Sequence, residues 1–595
     1  MTILGINCGH DSSICLIQDG TIVCAVEEEK MSRQKSEIGF PLKALQYVSE
    51  KYDLKNIPID IIAIPDKPYD FKSYLELQYR FTKKLIYRRL EQSRRFLTYF
   101  NLLPNLPFER NRNLFEKLVR QQIGSSETPI IYYNHHLTHA TSAHFTAPFE
   151  ADLTITCDGR GEEASFNFYL PNMRTGDLAL VRMNDYSVSV GQVYSVVTTF
   201  MGYKANRHEG KIMGLAALGK PTPLVDAFKK LFYYENGQLR RLPNKERSIA
   251  LSFRNKISFK TALHGFGKEY ALNTAWLMAW LTEITEGYDR ADIAYALQKM
   301  TEDVVLTEIR SFLVENASLL PNKIKIAIAG GVFANVRLNQ LLFELPKVEN
   351  IFIQPAMSDA GLSLGAAILA DFRFNNAAKY VFKDAYVGAD FSDDIPAFIN
   401  QIESEFKVQI LEDAPSVIAE LLAKNTIIGF YQGRMEWGPR ALGNRSIIAN
   451  TFRKEINLEL NNRLNRTEFM PFAPSILDIV ADEYLENYDD NCAANEYMTM
   501  TYSVKKAYHE LLQAVVHVDG TCRPHIVRQK TNPYYYAILK AFYAKTGCGA
   551  VVNTSFNVHE EPIVATPFHA LRALKDRRID VLVVENYLIE SLPTE

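Results

Sequence analysis

In the stretch NHHLTHATSAHF, His135 and His139 stand four residues apart. On a helix that spacing puts both imidazoles on one face, where they can share one metal ion. Two short loops, CDGRGEE at Asp158 and SDAGLSLG at Asp359, could add carboxylates. Two imidazoles with one or two carboxylates and open positions suit Fe(II), Mn(II) or Zn(II). A capping turn with core histidines would give the same spacing, so the motif alone leaves both readings open.

A second set of residues suits phosphate. Glycine-rich loops occur at GHDSS (9–13), DGRGEE (158–163), RHEGKIMGLAALG (207–219) and GGVFANVRLN (330–339). Small residues let backbone N–H groups approach an anion, and helix N-termini favour negative charge. Together the loops predict nucleotide binding. The absence of G-x-x-x-x-G-K-[ST] excludes a P-loop. Further along, FYQGRMEWGPRALGNRS (430–446) sets Arg434, Arg440 and Arg445 among glycines. HVDGTCRPH (517–525) adds Arg523, and VNTSFNVHEEP (552–562) adds Asn553, Ser555 and Asn557. Guanidinium groups clamp phosphates through paired hydrogen bonds.

These loops need strands and helices to hold them. TILGIN, SICLIQ and TIVCAV read as three strands, with Asp19-Gly20 as a hairpin turn. A similar strand–loop–strand unit recurs at 151–170, which points to an internally duplicated fold. Residues 274–317 read as two helices, with Ile293, Leu297, Met300, Val304 and Ile309 on one stripe. IKIAIAGGVFANVRLN (324–339) reads as a buried strand, a glycine turn and a helix start. Residues 68–120 are basic and helix-like, either as a solvated insertion or as a docking face for an anionic or lipid-linked substrate. A change of texture around Asn375-Asn376 places a domain boundary near 380. The expected units are therefore 1–380, carrying the 68–120 insertion, and 381–595.

Composition narrows the class. The chain has 595 residues, 47% hydrophobic and 23% charged, with a net charge of −3. That excludes a disordered chain, a fibrous repeat and a basic nucleic-acid coat, so no nucleic-acid partner is expected. Seven cysteines with no C-x-x-C argue against a disulfide framework or a zinc finger and fit a reducing cytoplasm. No leader pattern opens the sequence and no apolar run is long enough to span a membrane, so neither a signal peptide nor a transmembrane helix is expected.

The motifs LGINCGHDSS, EEEKMSRQK, NHHLTHATSA, CDGRGEEAS, HEGKIMGLAALG, GGVFANVRLN, SDAGLSLGAA, QGRMEWGPRALGNRS, PFAPS, HVDGTCRP and NTSFNVHEEPIV resemble, in this order, those of the NodU/CmcH family of O-carbamoyltransferases. The resemblance implies an α/β architecture. A duplicated actin/Hsp70/sugar-kinase-like, TsaD-like domain would perform carbamoyl transfer, and a YrdC-like α/β domain would follow it. It implies that carbamoyl phosphate and ATP give carbamoyl adenylate and pyrophosphate, and that the carbamoyl group then passes to an acceptor hydroxyl, with AMP released. The acceptor would be a sugar or natural-product alcohol.

By the same resemblance His135, His139, Asp158 and Asp359 would bind a metal, iron foremost, with Mg accompanying ATP. His10, with Asp11 beside it, would orient or deprotonate the acceptor hydroxyl, and Lys35 would contact the phosphate of the intermediate. Gly330, Gly331 and Asn335 would hold adenosine, joined by Gly159 and Lys211 of the neighbouring loops. Arg440, Arg523 and Ser555 would hold carbamoyl phosphate and ATP, with Arg434, Arg466 and Asn553 as neighbouring candidates. The sequence departs from the family pattern at Leu464 and Met470, where cations are expected. Arg463 and Arg466 are the nearest substitutes. A homodimer is compatible with this reading. The alternatives are a kinase of the same N-terminal fold and a non-catalytic nucleotide-binding protein.

Overall fold

The computed structural model describes the chain except residues 66–115, 173–175, 243–267, 376–379, 466–471 and 593–595 and positions 55, 118, 126, 236 and 381. Most of the basic stretch at 68–120 therefore lies outside the described residues, as do Arg466 and Met470.

The apolar runs form the expected strands. β1 (Thr2–Asn7), β2 (Ser13–Gln18) and β3 (Thr21–Glu27) are followed by the short helix α1 (Glu28–Ser32), then β4 (Ile61–Pro65) and β5 (Ile130–Tyr133). The sheet order is β3-β2-β1-β4-β5, with β2 and β3 antiparallel to their neighbours and β4 and β5 parallel to β1. Helix α2 (His135–His144) leads to β6 (Leu153–Gly161), β7 (Ala164–Pro171) and β8 (Leu178–Asp185). Helices α3 (Glu209–Ala216), α4 (Lys268–Ile284) and α5 (Arg290–Glu315) precede β9 (Ile324–Ala329), α6 (Val336–Phe343), β10 (Val348–Ile353) and α7 (Leu362–Asn375). This second sheet runs β10-β9-β6-β7-β8 and repeats the first topology: a central strand, an antiparallel pair on one side and a parallel pair on the other. The duplication read from two strand–loop units is thus present at the level of whole sheets. The stripe on α5 is buried as the helical spacing predicts.

Besides a two-stranded ribbon of Tyr502–Ser503 and Thr521–Cys522, the rest of the chain builds a sheet of eight strands. In chain order these are β11 (Phe406–Ile410), β12 (Ile428–Tyr431), β13 (Arg445–Ala449), β14 (Ala473–Leu477), β15 (His525–Val527), β16 (Ala550–Ser555), β17 (Val581–Val584) and β18 (Tyr587–Ser591). Their order is β11-β18-β17-β12-β13-β16-β14-β15. The two halves share a core: Met435, Ile563 and Ala565 pack in one apolar cluster with Leu4, Ile6, Val26 and Ile62. No helix among the described residues is long and apolar enough to cross a membrane.

Close backbone approaches bring the site loops together. A Cβ on Gly365 of α7 would lie 1.9 Å from the Thr138 carbonyl oxygen of α2, so glycine lets the two helices touch. Gly330, at the end of β9, has φ 108°, and a Cβ there would lie 2.2 Å from the Cys157 carbonyl oxygen. Gly330→Ala combines a backbone conformation that L-residues avoid with an overlap against rigid main chain. It is expected to cost about 3 kcal/mol or more, read as a lowered urea midpoint. A wild-type midpoint would contradict the geometry.

Candidate active site

Asn134 caps α2 by accepting a hydrogen bond from the Leu137 amide, which fixes the first turn and the direction of the histidines. His135 and His139 then face Asp158, in the later part of β6, and Asp359, in the turn before α7. His135 Nε2 lies 3.2 Å from Asp158 Oδ2 and 3.6 Å from Asp359 Oδ1, while His139 Nε2 lies 3.5 Å from Asp359 Oδ1. One ligand atom from each of the four lies within 4.8 Å of every other. Donors about 2.1 Å from a common ion stand about 3 Å apart, so the spacing fits a metal with little movement.

The histidine nitrogens strengthen that fit. His139 is fully buried, yet neither ring nitrogen has a hydrogen-bond partner, a costly state for an imidazole. His136, between the two candidate ligands, contrasts with it: Nδ1 pairs with Thr156 Oγ1 at 2.8 Å and Nε2 with the Ala164 carbonyl at 3.1 Å. Burial and the neighbouring imidazoles hold the His136 pKa down at about 3, so it is a neutral structural residue. Burial would raise the Asp158 pKa, but the hydrogen bond from His135 and the charges of His139 and His135 bring it below the ordinary carboxylate value. A divalent cation held by His135, His139, Asp158 and Asp359 would supply a Lewis acid and a template for a phosphate-bearing intermediate.

His10 and Asp11 border this cluster. Asp11 has φ 47°, pairs with His10 Nδ1 at 3.3 Å and accepts a hydrogen bond from Ser358 Oγ at 3.0 Å. Burial would lower the His10 pKa, but Asp11, with Asp359 and Asp158 behind it, raises it to about 9. A cation among those carboxylates would cancel part of that effect and return the imidazole toward its ordinary range.

The glycine turns are shaped by the same carboxylate. The Gly331 amide donates to Asp158 Oδ1 at 3.0 Å, and a Cβ on Gly331 would meet that oxygen at 2.8 Å. The Gly159 carbonyl accepts from Ser189 Oγ. Asn335 is differently used: it caps α6 through the Leu338 amide and forms an amide pair with Gln298. Its side chain is therefore engaged internally, between α5 and the first turn of α6.

A cavity of about 270 Å³ lies where the two halves meet. Lys35, Arg207 and Lys211 line it from the first half, and Arg440, Arg523, Asn553 and Ser555 from the second. Lys35 pairs with Glu29 at 3.0 Å, and its charge also reaches Asp11. It therefore links the cavity to the neighbourhood of the His135, His139, Asp158 and Asp359 cluster. Burial lowers the Arg440 pKa to about 10, its Nε has no hydrogen-bond partner, and no carboxylate among the described residues forms an ion pair with it. Asn553 is fixed by hydrogen bonds to the Ala441 carbonyl and Ser475 Oγ, and Ser555 donates to Asn557 Oδ1.

The other arginines of that loop do not reach the cavity. Arg434 donates to the carbonyls of Val23, Val387 and Gly388 and ties β3 to the second half. Arg445 donates to the carbonyls of Gln432, Gly433 and Asn444 and lies 3.6 Å over the Tyr431 ring. Both guanidinium groups are thus engaged by main-chain carbonyls away from the cavity, which is where the structure places these two candidates. Arg463 likewise pairs with Glu459 and Asp580, and Leu464 is buried in the core. Arg463 is thus engaged by carboxylates and is absent from the cavity lining.

Sequence reasoning missed the residues that shape the arginine loop. Glu436 is buried, and its Oε1 accepts from the amides of Leu442, Asn444 and Arg445 at 2.7, 2.9 and 3.1 Å. Lys30 of α1 donates to the Glu436 and Gly438 carbonyls, and Glu27 accepts from the Gly438 amide. The run Glu27–Lys30 was visible as a motif, but nothing local to it named a partner some four hundred residues away.

Two family profiles match the chain in turn. The profile for the carbamoyltransferase N-terminus matches residues 2–368, and that for the carbamoyltransferase C-terminus matches residues 419–591. The chain belongs to the carbamoyltransferase family. It is a carbamoyltransferase enzyme of NodU kinship. The nodulation protein NolNO of Sinorhizobium fredii is 30% identical across 98% of this chain and 79% of its own. The 3'-hydroxymethylcephem-O-carbamoyltransferase of Amycolatopsis lactamdurans is 30% identical over 44% of this chain and 48% of its own. An uncharacterised protein of Methanocaldococcus jannaschii is 31% identical over 98% of both chains. Among solved structures, HypF of T. kodakarensis is 13% identical over 63% of this chain and 48% of its own, with a TM-score of 0.31, a likeness too slight to define a fold.

Proposed function

We propose that this carbamoyltransferase is ATP-dependent and works in two stages, one on each side of its central cavity. Carbamoyl phosphate first loses phosphate to water, leaving carbamate. A carbamate oxygen attacks the α-phosphorus of ATP, and pyrophosphate leaves. An acceptor hydroxyl then attacks the carbamoyl carbon, its proton is lost, and AMP departs. The observation that carries this reading is the desolvated Arg440 guanidinium, without an ionic partner among the described residues, facing a cavity that Lys35, Arg207 and Lys211 line from the opposite half. Such a cluster is built for a polyanion.

In this scheme Arg440, Arg523, Asn553 and Ser555 bind the carbamoyl donor and the nucleotide phosphates, and Lys35 and Lys211 receive the adenylate phosphate. His10, aligned by Asp11, orients the acceptor hydroxyl. The His135, His139, Asp158 and Asp359 cluster would hold iron or a related divalent cation, and Mg would accompany ATP. We assign the first 380 residues to transfer, on an actin-like duplicated fold, and the remainder to adenylation, on a YrdC-like one. The acceptor is a sugar or natural-product alcohol.

The test is pyrophosphate release from purified protein, with ATP and carbamoyl phosphate omitted in turn. Release that requires both supports adenylation. ADP in place of pyrophosphate would move the assignment to a kinase, and the cavity reading would fall with it.

A further inference from the structure

We propose that Glu560 is a positioning residue: it fastens the loop His559–Ile563 of the second half onto the first and so sets the nucleotide-facing wall of the cavity. The proposal rests on the reading of that cavity as the phosphate-handling site.

The loop belongs in sequence to the C-terminal half, where Asn557 and Leu464 hold Glu561 and His559, yet Glu560 is gripped from the N-terminal half. Glu560 Oε1 accepts from His208 Nε2 at 2.6 Å and Oε2 from Lys204 Nζ at 2.8 Å. Arg207 Nη2 reaches both the Glu560 carboxylate at 3.1 Å and its main-chain carbonyl at 3.0 Å. At the other end of the loop, Arg33 donates to the carbonyls of Pro562 and Ile563. Glu560 itself is left-handed, with φ 66°. A non-glycine residue holds that conformation only where its surroundings impose it. Three side chains from one short segment provide that constraint.

The neighbours of Glu560 connect this joint to the ligand. Lys211 Nζ lies 3.3 Å from His559 Nε2, and Arg207, Lys211, His559 and Glu560 all line the cavity. Burial would raise the Glu560 pKa, but hydrogen bonds from Lys204 and His208 and the charge of Arg207 bring it to about 2. The carboxylate therefore stays ionised at neutral pH, holds Arg207 at the rim and leaves His559 and Lys211 aligned along one wall. Loss of the carboxylate would release the loop and let Arg207 and Lys211 drift, weakening nucleotide binding more than the chemical step.

The experiment uses the full chain and compares wild type with Glu560→Ala and Glu560→Gln. Pyrophosphate release gives kcat and KM for ATP, and hydrogen exchange reports the amides of 557–563. For Glu560→Ala we expect KM for ATP to rise about tenfold, kcat to change less than about threefold, and loop exchange to quicken by about tenfold or more. Glu560→Gln, which keeps an acceptor oxygen but loses the charge, should fall between. Wild-type exchange and KM in Glu560→Ala overturn the proposal. Faster exchange with unchanged KM also overturns it, because the joint would then be packing alone. Failure of the cavity reading is recognised separately, as absence of ATP-dependent pyrophosphate release in the wild type.

Discussion

Arg440→Ala should lower pyrophosphate release by about 10²–10³-fold while leaving the fold intact. A hydrogen bond to a charged group contributes about 1.5–3 kcal/mol, and a guanidinium commonly makes two to one phosphate. At the lower end of that range, losing both removes about 3–4 kcal/mol, and each 1.36 kcal/mol is tenfold in rate. Arg440→Lys keeps a point charge without the planar fork and should fall between the two. Arg440 Nε has no partner to strand, so the thermal midpoint of Arg440→Ala should stay within a few degrees of wild type. Arg445→Ala is the opposite case. It leaves the carbonyls of Gln432, Gly433 and Asn444 without their buried donor and should damage folding before catalysis. Normal pyrophosphate release by Arg440→Ala would sink the assignment of the cavity.

His139→Ala separates the two stages. It removes a buried ligand candidate whose nitrogens have no other partner. Bound metal, measured by elemental analysis of purified protein, should fall at least tenfold. Carbamoyl transfer should be lost, while acceptor-independent pyrophosphate release should stay within about twofold of wild type, because the variant leaves the arginine cavity untouched. His136→Gln is the control: its metal content should hold and its stability should fall, since Thr156 and the Ala164 carbonyl lose an imidazole that satisfies both. Full metal content and transfer in His139→Ala would remove the metal role.

The difference between these histidines shows what a sequence can reveal. Helical periodicity places His135 and His139 on one face, because that depends on the backbone alone. It does not reveal that His136 is satisfied by a neighbouring strand, since β6 and β7 meet α2 only in the folded chain. The repeated strand–loop unit was legible for the same local reason, and the sheets extend it. The arginine loop was legible as a phosphate-type composition but not residue by residue. Arg434, Arg440 and Arg445 share one glycine-rich context, and the loop path set by Glu436, Lys30 and Glu27 decides which of them faces the cavity. Leu464 looked like a lost cation, whereas its burial makes it a core residue. Its neighbour Arg463 is already engaged by Glu459 and Asp580.

The apolar cluster that joins Met435, Ile563 and Ala565 to Leu4, Ile6 and Ile62 has a consequence for modularity. The halves look exchangeable, since each carries its own sheets. A chimera that grafts a relative's C-terminal half onto this N-terminal half must nonetheless inherit the far side of the seam, down to the Lys30 and Glu27 clasp on the arginine loop. Mismatched seams would leave apolar surface exposed and the arginine loop without its clasp. With His10 at the acceptor as proposed, new acceptors would be reached more readily by altering the loops around it than by trading whole halves.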